Sequence, residues 1–446
     1  MKRFIYYVTV AAAFAACCAG CTKRTVAKPD WFTNAAYFEE KNGMYAEMPV
    51  FPKNIVMVGD DYIDRGLWNE FYGDTTIKNR GITYDASAHV LYRIDGIAAR
   101  KPAKIFVSAG INDVLHGTPQ EETVENVRQI FRRIAKASPQ TKRYYLNVVC
   151  WPSLDEAQAQ AAAALNEALR KVAADNRFEY IDVNAALKDG LADGTFSWDG
   201  GKLLNGAGYQ AYAKAIEQQV GKPALLNPDD RDYPLEVSDY YRHRVSLFRA
   251  LPETKRAVVM LGNSLNNNAL WTELFPFGYV VNRGISGDVI DGVCQRVDEL
   301  VADNPDKVFV MTGCNDLVND PEVSAMTVYD RYENLIRTIR EQLPETELYV
   351  QSILPMSPKS KYYEGFNTKV AEINKLLAGG TGRYGYYFID VAKPLSNAEG
   401  DLLDECTTDG IHLSAYGYFL WAGELVKGNR MMQSIKPDSD HYFEFN

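Results

Sequence analysis

Short apolar runs alternate with longer amphipathic stretches along most of the chain. Ala257-Val258-Val259-Met260 and Val308-Phe309-Val310-Met311 have the composition of strands buried on both faces of a parallel sheet. The pattern predicts strands centred on Val258, Val280, Phe309, Val350 and Phe388, with helices near Val289–Val301, Tyr329–Gln342, Asn367–Leu377 and Ala415–Val426. An earlier set of strands, centred on Val56, Ile77, Phe106, Leu146 and Tyr180, keeps the same rhythm. Strand and helix in alternation, joined by right-handed crossovers, predict α/β architecture with three α/β/α layers.

The two sets are copies of each other. Pro49 and Pro252, Trp68 and Trp271, Asn79-Arg80-Gly81-Ile82 and Asn282-Arg283-Gly284-Ile285, Asn112 and Asn315, and Pro152 and Pro355 all lie 203 positions apart. A constant offset over such a span is a gapless internal repeat. By Asp199 and Asp409 the offset has grown to 210, which places small insertions in the later helices and loops. The periodicity breaks near Pro223–Tyr233, at Asn-Pro-Asp-Asp-Arg-Asp. The expected organisation is therefore 1–20 targeting segment, 21–35 tether, 36–228 first domain, 229–435 second domain and 436–446 terminal extension.

Composition changes this picture in three places. A chain of 446 residues exceeds one ordinary core, which agrees with two domains. A net charge of −10, without a basic stripe, excludes nucleic acid as an expected partner. Of seven cysteines, Cys150, Cys294, Cys314 and Cys406 are scattered, so no pair has metal-ligand spacing and buried free thiols are expected. No metal or other cofactor is called for. At the amino end Lys2-Arg3 precedes an apolar stretch through Ala16, as in an export signal. Its ending, Cys18-Ala19-Gly20-Cys21, resembles a bacterial lipoprotein cleavage site with Cys21 lipidated; Phe14-Ala15-Ala16-Cys17 is a poorer match, and a plain secretory signal is the alternative. The expectation is a cell-envelope protein tethered by lipid, periplasmic or at the cell surface.

Candidate chemistry gathers where predicted strands end. Leu261-Gly262-Asn263-Ser264 follows one strand, at the end where open α/β sheets place ligands. Asn282-Arg283-Gly284-Ile285-Ser286-Gly287-Asp288 and Thr312-Gly313-Cys314-Asn315-Asp316 follow two more, and Thr408-Asp409-Gly410-Ile411-His412-Leu413 comes near the end. Ser264 offers a hydroxyl nucleophile, His412 a base that titrates near neutrality, and Asp409 a carboxylate to orient its ring. Cys314 is a poor rival nucleophile, and Arg283 and Asp288 are expected to brace the second block. In this order the four blocks resemble the SGNH (GDSL-type) esterase family, in its branch near platelet-activating-factor acetylhydrolase catalytic subunits and carbohydrate O-acetylesterases. The resemblance implies flavodoxin-like domains with mostly parallel five-stranded sheets, and an oxyanion hole formed by the amides of Ser264 and Gly284 and the side chain of Asn315. One departure is Asn263, where the family carries aspartate.

The first copy lacks this chemistry. Asp61 stands where the nucleophile belongs and Lys202 where the histidine belongs, while Gly81, Asn112 and Asp199 remain. Tyr84 replaces the equivalent of Gly287, and neither His89 nor His116 lies where a base is needed. An ion pair between Asp61 and Lys202, with Asp199 sharing the lysine, is expected across this site. The expected function is a serine esterase removing small acyl groups, acetyl foremost, from carbohydrate or another small ester. Two alternatives are a non-catalytic carbohydrate-binding lipoprotein and an esterase of phospholipid-type acyl groups. Oligomeric state is not legible.

Overall fold

The computed structural model describes residues 34–225, 237–252, 254, 257–276 and 279–427. Cys21, the targeting segment, the 436–446 extension, residue 229 and most of the tether lie outside them. Among the described residues, ten strands form two sheets. The first contains β1 (Ile55–Gly59), β2 (Ile77–Gly81), β3 (Lys104–Val107), β4 (Lys142–Leu146) and β5 (Glu179–Ile181). The second contains β6 (Val258–Gly262), β7 (Val280–Gly284), β8 (Lys307–Met311), β9 (Glu347–Gln351) and β10 (Tyr387–Ile389). Their orders, β2-β1-β3-β4-β5 and β7-β6-β8-β9-β10, are the same. All neighbours pair in parallel, with Gly59 opposite Gly81 and Gly262 opposite Gly284. Each predicted strand centre falls within its strand.

The alternation of side chains across a strand builds two cores on the second sheet. Val259, Leu261, Val308 and Val310 face Tyr332, Ile336, Ile339, Val370 and Leu377. Val258, Met260, Phe309 and Met311 face Trp271, Tyr418, Trp421 and Leu425. These are the three layers of an α/β/α domain, and both copies have them.

The copies do not merely follow one another. The helix Ala35–Glu47 lies between them. On one side the Tyr45 hydroxyl donates to the Gly81 carbonyl at 2.6 Å and Lys41 pairs with Asp64 at 3.4 Å, both in the first copy. On the other, Met44 and Met48 enter the second copy's core beside Trp421. The equivalent helix, Asp239–Ala250, does the reverse: Tyr241 donates to the Gly292 carbonyl of its own copy, while Val245, Leu247 and Phe248 join the first copy's core. Gly206 admits this helix, since a Cβ there would sit 2.5 Å from the Ser246 carbonyl oxygen. Two further contacts obey the same exchange. Arg80 makes a two-pronged pair with Glu273 at 2.7 and 2.8 Å, and Arg283 pairs with Glu70 at 2.9 Å. Each residue lies 203 positions from its counterpart, so the interface has approximate twofold symmetry, as between two protomers.

Candidate active site

β6 ends at Gly262, whose φ of +155° and closeness to the Met311 carbonyl (a Cβ would lie 2.0 Å away) leave no room for a side chain. Asn263 then caps the short helix Ser264–Asn268 by accepting from the Leu265 amide at 3.1 Å. This presents Ser264 at the carboxyl end of a central strand. Its Oγ lies 3.1 Å from His412 Nε2, and His412 Nδ1 lies 2.7 Å from Asp409 Oδ2. Asp409 Oδ1 accepts from the backbone amides of Ile411 and His412 at 2.9 and 2.7 Å, so the carboxylate is held by its own turn. Thr407 locks that turn, donating to the His412 carbonyl and accepting from the Gly410 amide.

The electrostatics fix the tautomer. Burial pushes the Asp409 carboxyl up, but its bonds to the His412 ring and to backbone amides outweigh burial and hold it down at about 2. An ionised carboxylate only accepts, so Nδ1 carries the proton and Nε2 is left to accept from the Ser264 hydroxyl. Burial alone would depress the His412 ring; the bond to Asp409, then the charges of Glu40 and Asp409, leave it raised. Cys314 is buried, and burial pushes its thiol up to about 12, which keeps it un-ionised at neutral pH.

The Gly284 amide is not available to an oxyanion. It donates to Asn282 Oδ1 at 2.9 Å, and Gly81 does the same to Asn79 at 2.8 Å in the first copy. Glycine is required there for packing, because a Cβ on Gly284 would lie 2.2 Å from the Asn267 amide nitrogen. The first copy points to a different donor. There Asp61 Oδ2 accepts from the Tyr84 amide at 3.0 Å and from Asn112 Nδ2 at 2.9 Å. An anionic oxygen beside the nucleophile position thus sits between two donors whose counterparts are Gly287 and Asn315. Tyr84 and Gly287 share a left-handed backbone, with φ of +71° and +83°. Asn315 stands ready, its Nδ2 donating to the Asp288 carbonyl at 2.8 Å. Gly287 is therefore the residue that sequence reasoning missed, although its glycine and the block around it were in view. Asp288 does brace this loop, pairing at 2.9 Å with Arg296, which also binds the Arg283 and Gly262 carbonyls. Arg283 instead reaches across to the first copy.

The expected Asp61–Lys202 pair does not form. Arg65, one turn along the same helix, takes Asp61 at 3.2 Å, and the amides of Tyr84 and Asn112 satisfy its other oxygen. With the carboxylate fully served nearby, Lys202 stays exposed and only its carbonyl takes part, accepting from Arg65 at 3.5 Å. Asp199 Oδ1 is occupied by Ser197 Oγ and the Leu203 amide. Among the described residues no cluster of three or more His, Cys, Asp or Glu could hold a metal, and no helix is long and apolar enough to cross a membrane.

A serine, a histidine and an aspartate in register at the end of a parallel sheet define a hydrolase of the serine class. The model of the GDSL-like Lipase/Acylhydrolase family matches residues 58–211 and 261–420, one segment in each copy; the chain belongs to this family and is an SGNH-type serine esterase. Platelet-activating factor acetylhydrolase IB subunit alpha1 from Bos taurus is 26% identical over 167 residues, covering 36% of this chain and 69% of that protein. Among solved structures, a GDSL-like lipase from Bacteroides thetaiotaomicron is 19% identical, covers 42% of this chain and 94% of that one, and gives a TM-score of 0.38. A carbohydrate acetylesterase family member from Sinorhizobium meliloti is 17% identical, covers 40% and 98%, and gives 0.33.

Proposed function

We propose that the second copy removes short acyl groups, acetyl foremost, from carbohydrate, and that the first copy does not hydrolyse esters. The observation that carries the reading is the unbroken line from Ser264 through His412 to an Asp409 held ionised. Ser264 Oγ attacks the ester carbonyl carbon as its proton passes to His412 Nε2. The tetrahedral oxyanion is met by the amides of Ser264 and Gly287 and by Asn315 Nδ2. His412 returns the proton to the departing sugar oxygen, leaving Ser264 acylated. A water, deprotonated by the same ring, then attacks the acyl carbon; the acid leaves and Ser264 Oγ is reprotonated. Asp409 stabilises the imidazolium in both halves.

Acetyl is favoured by the acetylhydrolase the chain resembles. Carbohydrate is favoured by the amino-terminal stretch ending at Cys21, which as an export and lipid-anchor signal would place the site in the cell envelope, among acylated polysaccharides. The test is release from para-nitrophenyl acetate, longer para-nitrophenyl esters and acetylated oligosaccharides. Preference for long chains would favour phospholipid-type substrates. No release with retained binding of acetylated sugar would mark a non-catalytic binding protein. For the anchor, Cys21→Ser should move the protein out of the membrane fraction; unchanged fractionation would refute lipidation there.

A further inference from the structure

The helix Ala35–Glu47 belongs by sequence to the inactive copy, yet it carries a carboxyl into the active one. Glu40 is 1% exposed. Its Oε2 accepts from Asn268 Nδ2 at 3.1 Å, at the end of the helix that Ser264 begins. Its Oε1 lies 3.2 Å from the Tyr418 hydroxyl, which is also 3.0 Å from the Leu265 carbonyl, one residue after Ser264. One buried side chain from the first copy therefore touches the far end of the helix that presents the nucleophile directly and its near end through Tyr418, and its charge reaches the His412 ring.

The placement is not peculiar to this helix. The residue 203 positions on is His243, carried by Asp239–Ala250 into the opposite copy. It is buried there against the block that corresponds to the Asp409–His412 turn, accepting from the Trp198 amide at 3.3 Å and facing Asp199. Both leading helices thus insert one titratable group behind the last block of the other copy. In the inactive copy that group is an imidazole; in the active copy it is a carboxyl.

Resting on the reading of Ser264 and His412 given above, we infer that Glu40 is a positioning residue of the esterase site, steadying the nucleophile helix and supporting the His412 imidazolium as it forms. The charged and titratable groups around it are Lys41 on its own helix, Tyr418 from the helix Ala415–Val426, and His412 with Asp409 behind it. Burial pushes the Glu40 carboxyl up to about 7 against the pull of His412 and Lys41, so near neutrality it exchanges between two useful forms. Protonated, it can donate to the Tyr418 oxygen and free that hydroxyl for the Leu265 carbonyl. Ionised, it places a negative charge behind the imidazole. The inactive copy has then been retained as a structural part of the active one.

The test is Glu40→Gln in the full chain, which keeps size and hydrogen bonding but removes the charge, with Glu40→Asp beside it as the variant that retains a carboxyl. His412 is titrated by NMR and the pH profile of kcat/KM for a short acyl ester is recorded. In Glu40→Gln the His412 midpoint and the acidic limb of the profile should both move down, by about one pH unit for the loss of one neighbouring opposite charge. Glu40→Asp should keep most of the parent midpoint. A Gln variant with the parent midpoint, or one with lower kcat at every pH and no displaced limb, overturns the inference. The NMR midpoint reads the Glu40–His412 coupling even if the parent hydrolyses no ester, so failure of the esterase reading is seen separately.

Discussion

Where the second copy sets Ser264 against His412, the first sets Asp61 against Arg65 and the donors Tyr84 and Asn112. The two sheets share one strand order and register, so the contrast lies in the side chains. An oxyanion hole is a place built for a transient negative oxygen; in the first copy a permanent one has moved in. The copies also differ one residue earlier. Asp60 of the first copy is buried and takes the Ser108 hydroxyl at 3.1 Å. In the second copy those positions hold Asn263 and Met311, so a carboxylate there would lose that donor. The amide accepts from Leu265 without bringing a buried charge, and its Nδ2 is left buried without a protein partner among the described residues.

The contrast can be broken most severely at the nucleophile. Ser264→Ala should lower kcat/KM by at least about a thousandfold with the fold intact, whereas Asp61→Ala should leave the rate near the parent's. Activity in the first variant, or its loss in the second, would reverse the assignment of the copies. Next in size is the interface. Arg283→Ala leaves Glu70 buried without its partner and should cost about 3–5 kcal/mol in urea unfolding. The double variant with Glu70→Ala should recover part of that loss, and an undiminished loss would mean the pair is not coupled.

Asn315→Ala should then reduce kcat about a hundredfold with KM little changed, while Asn112→Ala, its twin, should leave kcat alone. Equal effects of the two would refute the claim that only one copy carries the reaction. The smallest expected effect concerns pH. Burial, and then the charge of Asp61, push Asp60 up to about 7, above its ordinary range. A raised acid binds its proton more tightly in the folded state, so its contribution to stability is present at low pH and lost as pH rises from its ordinary value of about 4 to about 7. Asp60→Asn should remove that loss, and urea midpoints at pH 5 and pH 8 would reveal it. A parent–variant difference independent of pH would count against the assignment.

Much of this molecule was legible in its sequence. Strand centres from Val56 to Phe388 were marked by apolar composition, and the 203-residue offset made the second fold a copy of the first. Ser264, Asp409 and His412 came from ordered blocks, and the structure brings them together. The oxyanion donor was harder: Gly284 and Gly287 stand in one block, and it takes the bond from Gly284 to Asn282, with the first copy's bond from the Tyr84 amide to Asp61, to decide between them. The Asp61–Lys202 pair failed because charge complementarity across a site cannot reveal that Arg65, on the same helix, is nearer. Least legible was Glu39-Glu40-Lys41-Asn42, which in sequence has the look of a solvated face. Glu40, Lys41 and Asn42 are all buried, Glu40 against Asn268 and Tyr418 of the second copy and Lys41 against Asp64 of the first.

The reciprocal pairs Arg80–Glu273 and Arg283–Glu70 carry a consequence for inheritance. In a dimer of identical chains every substitution is made twice, once in each protomer, so a change that removes a nucleophile removes both. Here the two sides of the same kind of twofold contact are encoded separately. Asp61 stands on one side and Ser264 at the same place on the other, and the contact that joins the copies keeps both of its pairs. Fusion in one chain thus supplies what symmetry forbids, a pair in which one member can change its chemistry and still complete its partner.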